Sequence, residues 1–243
     1  MIELKDICWQ TPAGKPILQN LNLKLRDKRL IAISGPNGGG KTTMARILMG
    51  VEQPTSGHIL WNGRDITNLD VTERARLGIS FGFQQPVAFK GITVRRILNL
   101  ASGYVMSEEK LCALLQKVGL CAKDYIDRDI DSTLSGGESK RIEIATVLAR
   151  NTNFVIFDEP EAGIDLWSFE KLIDVFEELR REEERTLVVI SHQERILRIA
   201  DEIIILADGK ITDHGPGPEM LSKMLHSEHW VTHRCGKTEV SYE

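Results

Sequence analysis

The sequence predicts an α/β fold with a mixed β-sheet, antiparallel strands near the N-terminus and a helical insertion. The first basis is the apolar run LIAIS at 30–34, which precedes a glycine-rich turn and a helix-like segment at 42–50. A buried strand, a glycine loop and a helix in that order begin a parallel α/β sheet. The second basis is the return of strand-like apolar runs later in the chain, at 153–158, 186–191 and 202–207.

Local signals predict the other elements in turn. LNLKL (21–25) and HILWN (58–62) alternate apolar and polar residues, as half-buried strands do. Residues 107–119 are predicted to form a helix, since Ser107 can cap its start and Gly119 can end it. ADGK joins the last two strands as a D-G hairpin turn. A further helix before 186–191 has an apolar stripe made of Phe169, Leu172, Ile173, Phe176 and Leu179.

Composition excludes several classes of function. A net charge of −4 argues against a nucleic-acid partner bound by phosphate neutralisation. No apolar stretch approaches the 18 to 20 or so residues that a membrane-spanning helix needs, and the N-terminus has no cleavable hydrophobic segment. The cysteines lack C-x-x-C spacing, which is typical of reduced thiols. These features predict a cytoplasmic protein.

GPNGGGKT at 35–42 matches the pattern G-x-x-x-x-G-K-[ST] and lies between a predicted strand and a predicted helix. Glycines let backbone N–H groups turn towards phosphate oxygens, and the helix N-terminus adds positive potential. Lys41 would reach the β- and γ-phosphates, and the Thr42 hydroxyl would bind Mg²⁺. The alternative is a flexible glycine loop. The predicted nucleotide-binding residues here are Gly35, Pro36, Asn37, Gly38, Gly39, Gly40, Lys41, Thr42 and Thr43.

The apolar strand FVIFDE ends in two carboxylates, which are costly to bury unless a cation or a proton transfer uses them. Asp158 is placed to hold Mg²⁺, and Glu159 is placed to polarise an attacking water as the catalytic base. Gln84 follows another strand, where its amide could contact both metal and water. His192 ends a strand where its imidazole could bond the γ-phosphate. Taken alone, each of the last two could equally be an ordinary polar residue at a strand end.

LSGGESKR at 134–141 predicts a helix start, because Ser135 and Glu138 form an S-x-x-E capping box. The adjacent Gly136 and Gly137 are costly there, by about 1 kcal/mol each relative to alanine. Bare backbone at a helix N-terminus therefore needs a further explanation.

The order of these motifs, followed by Asp165 in EAGID, resembles the nucleotide-binding domain of ABC-type ATPases over nearly the whole chain. The resemblance implies a P-loop ABC ATPase core that hydrolyses ATP with Mg²⁺. In that family the LSGGE helix crosses to a second copy and completes the partner's ATP site. It therefore implies an ATP-dependent homodimer, with Ser135, Gly136, Gly137, Glu138 and Asp165 as nucleotide-binding residues, and Gln84 as catalytic and metal-binding.

The resemblance also implies one ABC ATPase domain spanning residues 1–243. Its catalytic core would comprise 1–86 and 151–225, its helical subdomain 87–150 and its C-terminal tail 226–243. ABC ATPases commonly stack adenine on an aromatic residue near the N-terminus. Thr11 falls at that position, so either Trp9 substitutes or stacking is absent.

Two partners remain open. Most ABC ATPases energise a membrane permease. However, FQQP, SKR after LSGGE, Glu161 before AGID, and HQERIL (192–197) together resemble SufC, the soluble ABC ATPase of SUF iron–sulfur cluster assembly. That resemblance, the preferred interpretation, implies a SufB-like or SufB/SufD-like scaffold partner. Ser139 and Pro160 depart from the SufC pattern.

The tail holds metal-ligand residue types at plausible spacing. His226, His229 and His233 would share one face of a helix, with Cys235 just beyond. The alternative is a solvated or partner-contacting helix anchored by Trp230.

Overall fold

Two β-sheets organise the part of the chain that the computed structural model describes, residues 1–84, 91–131, 133–181 and 185–226. The smaller sheet is antiparallel, in the order β2-β1-β4-β5. Its strands are β1 (Ile2–Gln10), β2 (Pro16–Leu25), β4 (Ser56–Trp61) and β5 (Arg64–Asp65). The predicted N-terminal antiparallel strands are thereby confirmed.

The larger sheet has the order β10-β9-β3-β8-β7-β6 and is parallel except for its last hairpin. Asp208 and Gly209 both take positive φ in that hairpin, at 49° and 73°, as a two-residue D-G turn requires. The strands are β3 (Leu30–Ser34), β6 (Ile79–Gly82), β7 (Phe154–Asp158), β8 (Thr186–Ile190), β9 (Glu202–Ala207) and β10 (Lys210–Pro216).

The parallel strands of the larger sheet are largely buried on both faces, whereas β10 at its edge is mostly exposed. Successive residues of β3 point to opposite faces of the sheet, so that Ala32 belongs to one apolar cluster and its neighbour Ile33 to another. One cluster joins the sheet to the smaller sheet and to α1 (Lys41–Met49), and the other joins it to most of the remaining helices. A parallel sheet covered on both faces explains why its strands are continuous apolar runs.

Helices fill the predicted insertion. They are α3 (Val94–Ser102), α4 (Glu108–Lys117), α5 (Ala122–Tyr125) and α6 (Gly136–Ala149). Ser107 caps α4 by accepting from the Lys110 amide, as predicted. The remaining helices are α2 (Val71–Arg76), α7 (Leu166–Arg181), α8 (Glu194–Ile199) and α9 (Gly217–His226). The subdomain boundaries stay a prediction. Among the described residues, the helices are too short or too polar to cross a membrane.

Candidate functional site

The phosphate loop (residues 35–42) connects β3 to α1 with backbone that only glycine adopts freely. Gly35, Gly38 and Gly40 have φ of 132°, 77° and 102°. A Cβ at Gly35 would collide with the backbone oxygen of Leu206, and one at Gly39 would lie 2.6 Å from the same oxygen. The loop is therefore a rigid turn packed on β9. This geometry disfavours the alternative of a flexible glycine loop.

Lys41 begins α1 and turns back over the loop. Its Nζ donates to the backbone oxygens of Gly35 and Pro36, at 2.7 and 2.9 Å. Burial lowers the pKa of Lys41, and the charges of Glu159 and Asp158 oppose that shift. The ammonium thus sits between the loop and the two acids, the position in which a γ-phosphate would meet it.

Asp158 and Thr42 fit a Mg²⁺ ion. Burial raises the pKa of the Asp158 carboxyl above its usual value, and the nearby Thr42 side chain opposes that shift. Asp158 is 1% exposed, and its Oδ1 has no hydrogen-bond partner among the described residues. A buried, unpaired carboxylate oxygen beside a hydroxyl suits a hard, oxygen-seeking cation. Mg²⁺ held there would neutralise charge on the β- and γ-phosphates.

Glu159 follows β7 in an uncommon backbone conformation. Its φ is 46°, the left-handed region, which is strained for a residue with a side chain. Its N–H donates to the Ile190 oxygen at 2.9 Å, and Gln84 Nε2 donates to its Oε2 at 2.6 Å. The structure therefore brings together Gln84 and Glu159, which are 75 residues apart in sequence.

His192 lies just after the end of β8, and Glu161, in the turn after β7, reaches the same place with its side chain. The His192 Nδ1 is 3.5 Å from the Ser34 hydroxyl, at the end of β3, where the phosphate loop begins. Ser191 donates its hydroxyl hydrogen to Glu161, and burial raises the pKa of Glu161. His192 is therefore next to the strand that carries the loop, as a γ-phosphate contact requires.

The signature segment (residues 134–138) has the predicted capping box. Ser135 Oγ accepts from the Glu138 N–H at 3.2 Å, and the Ser135 N–H donates to Glu138 Oε2 at 2.6 Å. Tyr125 donates its hydroxyl hydrogen to Glu138. This hydrogen bond is the largest of the effects that together lower the pKa of Glu138 to about 2. Sequence reasoning missed Tyr125, which has no motif of its own.

The signature segment and the phosphate loop are not joined by polar contacts in the part of the chain that the structure describes. Within the described ranges, no hydrogen bond or ion pair joins residues 135–138 to residues 35–43. Asp165 lies on the surface and accepts from the N–H and hydroxyl of Ser168, at 3.0 and 2.6 Å. Ser135 is exposed as well. Ser135, Glu138 and Asp165 thus remain predicted nucleotide contacts.

A second group of residues was also missed by sequence reasoning. Lys140 and Glu143 are charged side chains of α6, one buried and one largely buried, that bond the backbone of Phe83, one residue before Gln84. No sequence pattern marks them, because their partners lie 57 and 60 residues away.

Two predictions from the ends of the chain remain open. Trp9 lines a surface cleft together with Cys8, Thr55 and Lys210, while Thr11 bonds Lys15 in the turn after β1. Neither observation tests stacking on adenine. His226 is the last residue of α9, and the other proposed ligands, His229, His233 and Cys235, lie outside the described residues.

The chain is similar to known nucleotide-binding cassettes. The ABC transporter family profile matches residues 18–162. An uncharacterized ABC transporter ATP-binding protein of Methanocaldococcus jannaschii is 37% identical over 92% of this chain and 90% of its own length. A sulfate/thiosulfate import ATP-binding protein of Synechocystis is 33% identical over 84% of this chain and 57% of its own length. A dimeric, post-hydrolysis ATP-binding cassette with bound ADP and phosphate superposes with a TM-score of 0.79, at 26% identity, over 89% of this chain and 98% of that one.

Proposed function

Because the chain belongs to the ABC transporter ATP-binding family, whose cassettes hydrolyse ATP with Mg²⁺, we propose that two copies close on two ATP molecules and drive a membrane permease. Each ATP would lie between the phosphate loop of one copy and the signature segment of the other. Hydrolysis would then separate the copies and move the permease.

The single observation that carries the shared site is that neither the backbone conformation nor the packing of the described residues of one copy requires Gly136 and Gly137. Neither has a positive φ, and an added Cβ would meet Gly163 O at 3.7 and 3.6 Å, which is ordinary contact. Two helix-weakening glycines that the chain's own packing does not need suit a ligand approaching from outside. The exposed N-terminus of α6 supplies N–H groups for a γ-phosphate.

We predict that Ser135→Arg blocks the ATP-dependent dimer and leaves the folded, nucleotide-binding monomer intact. The side chain would fill the cleft that the partner's triphosphate occupies. Size-exclusion chromatography with and without MgATP measures the dimer, and a fluorescent ATP analogue measures binding. Lys110→Arg on exposed α4 is the matched control. Unchanged ATP-driven dimers in the Ser135→Arg variant would overturn the shared site.

Trp167 provides an optical test of the same face. It is 82% exposed and lies in the first turn of α7, two residues after Asp165; residues 163 and 164, just before this helix, lie against the signature glycines. A dimer closed through that face is expected to bury Trp167 and shift its fluorescence to shorter wavelength with MgATP but not with ADP. The Trp167→Phe variant gives the emission of the other tryptophans alone, which is subtracted from the spectrum of the unmodified protein. An emission that ATP leaves unchanged would contradict closure at this face.

Two observations bear on which partner protein the ATPase drives, namely the names of its relatives and an apolar groove on its surface. The Methanocaldococcus and Synechocystis relatives are named as ATP-binding proteins of transporters, which favours a permease. A cavity of about 360 Å³ opens between β6 and α6, lined mainly by apolar residues such as Phe81, Phe83, Ile97 and Ile142. An apolar groove beside Gln84 suits a helix of the partner. In this proposal the protein works at the membrane surface.

A SufC-like role with a soluble SufB-like or SufB/SufD-like scaffold is the second candidate. HQERIL and the half-buried Glu161 before AGID favour it. Purification of a tagged Glu159→Gln variant from native membranes and cytosol in MgATP distinguishes a permease partner from a scaffold partner. The tagged Ser135→Arg variant is the control. A multi-pass membrane protein supports the permease, and a soluble protein carrying iron and sulfide supports the scaffold. Recovery of neither by a dimer-competent variant would contradict both.

A further inference from the structure

Lys140 and Glu143, one turn apart on α6, hold the backbone of Phe83 from both sides. Lys140 Nζ donates to the Phe83 oxygen, and the Phe83 N–H donates to Glu143 Oε1 at 2.7 Å. The two side chains also form an ion pair, with Nζ 3.0 Å from Oε2. Phe83 lies just beyond the end of β6, so these bonds replace the strand pairing that has stopped there.

The buried pair is not explained by stability alone. The side chains of Lys140 and Glu143 are 1% and 13% exposed, so both charges have lost most of their hydration. Apolar residues of similar size usually stabilise such a position as well as a buried ion pair does. The charged pair instead fixes the orientation of one backbone segment, because it bonds both the N–H donor and the C=O acceptor of the same residue.

That segment leads directly to the catalytic carboxylate. Gln84 follows Phe83, and its amide donates to Glu159 Oε2 at 2.6 Å. Glu159 has a strained, left-handed backbone, which persists only where surrounding contacts hold it, and the bond from Gln84 is one such contact. We propose that Lys140 and Glu143 are positioning residues for hydrolysis: by fixing Phe83 they hold Gln84 at Glu159 and at the water and metal that this pair serves.

The inference deepens the proposed function and rests on it. The helix that holds Phe83 begins with the signature segment, so one rigid element would join the partner's nucleotide to this copy's own Gln84. Lys140 lies on the next turn after Gly136 and Gly137, and Glu143 on the turn after that.

The test is a double-mutant cycle through Gln84. Lys140→Met with Glu143→Leu removes both bonds to Phe83 and leaves no unpaired buried charge. We expect kcat to fall about tenfold while the KM for ATP stays within about threefold, since the phosphate loop is untouched. In a Gln84→Ala background the same pair should cost less than about twofold in single-turnover rate, because the residue they position is gone.

Matched controls separate positioning from loss of fold. Lys171→Met with Asp174→Leu removes an exposed pair of the same spacing on α7 and should change neither constant. Lys140→Met with Glu143→Gln keeps an acceptor for the Phe83 N–H. If circular dichroism shows that the Lys140→Met, Glu143→Leu variant does not fold, this milder variant is used for the test instead. We expect its kcat to fall about threefold, and we expect no such fall in the Gln84→Ala background.

Two results would overturn the inference. One is an unchanged kcat in folded variants, and the other is an equal fall in kcat with and without Gln84, which would indicate a general structural effect. Failure of the proposed function looks different, because the unmodified protein would then neither hydrolyse MgATP nor dimerise with it.

Discussion

Replacing Glu159 by Gln is expected to leave MgATP binding intact and to slow hydrolysis by at least about 100-fold, the usual scale for losing a positioned general base. The substitution keeps the size of the side chain and an oxygen that Gln84 Nε2 can still reach, so the local geometry should persist. The amide cannot take the proton of the attacking water. Hydrolysis therefore stops at the ATP-bound dimer, which size-exclusion chromatography should show accumulating.

Glu178→Gln is the matched control, since Glu178 is an exposed acid of α7 that pairs with Lys117. It should turn over ATP at the rate of the unmodified protein. A Glu159→Gln variant with near-normal kcat would remove Glu159 from the role of base, even if its dimers persisted.

Replacing Arg74 by Met is expected to lower the free energy of unfolding by about 3 kcal/mol or more. The guanidinium is fully buried and donates to the backbone oxygens of Leu69, Ile47, Leu48 and Thr67, at 2.5 to 3.0 Å. Ile47 and Leu48 belong to the last turn of α1, where most carbonyls lack an i+4 helical partner, although the Ile47 oxygen also accepts from the Gly50 N–H at 3.1 Å. Methionine removes all four bonds that the guanidinium donates, and the Ile47 oxygen keeps only its bond from the Gly50 N–H.

Arg76→Met provides the comparison, because Arg76 is exposed on the same helix, α2. Its effect should stay within about 0.5 kcal/mol, as for other surface substitutions. Urea unfolding followed by circular dichroism measures both variants. Equal midpoints for the two would show that the four carbonyl bonds of Arg74 contribute nothing net to stability.

The elements that the sequence predicts well are those with local causes. The phosphate loop follows from three glycines whose positive φ no other residue adopts cheaply, and the capping box of Ser135 follows from residues three positions apart. The strands β3, β7 and β8 follow from apolar runs that a doubly covered sheet requires.

Long-range polar contacts could not be predicted in this way. Arg74 and Lys140 look like ordinary surface charges in the sequence, since arginine and lysine are seldom buried. Their acceptors lie 26 or 27 residues away for two of the Arg74 bonds and 57 residues away for Lys140. Only the folded arrangement shows which charges point inward, and the left-handed φ of Glu159 likewise has no signature in its residue type.

The continuity of α6 has a consequence for the assembled pair. A helix of 14 residues is a stiff rod about 21 Å long, and it does not absorb a push at one end by bending. If its first turn meets the neighbour's triphosphate while its next turns hold Phe83, filling one pocket alters the readiness of the other. The two ATP sites of the dimer are then linked by a coupling free energy. ATP binding or hydrolysis at one site changes the rate or affinity at the other, so the two sites are cooperative.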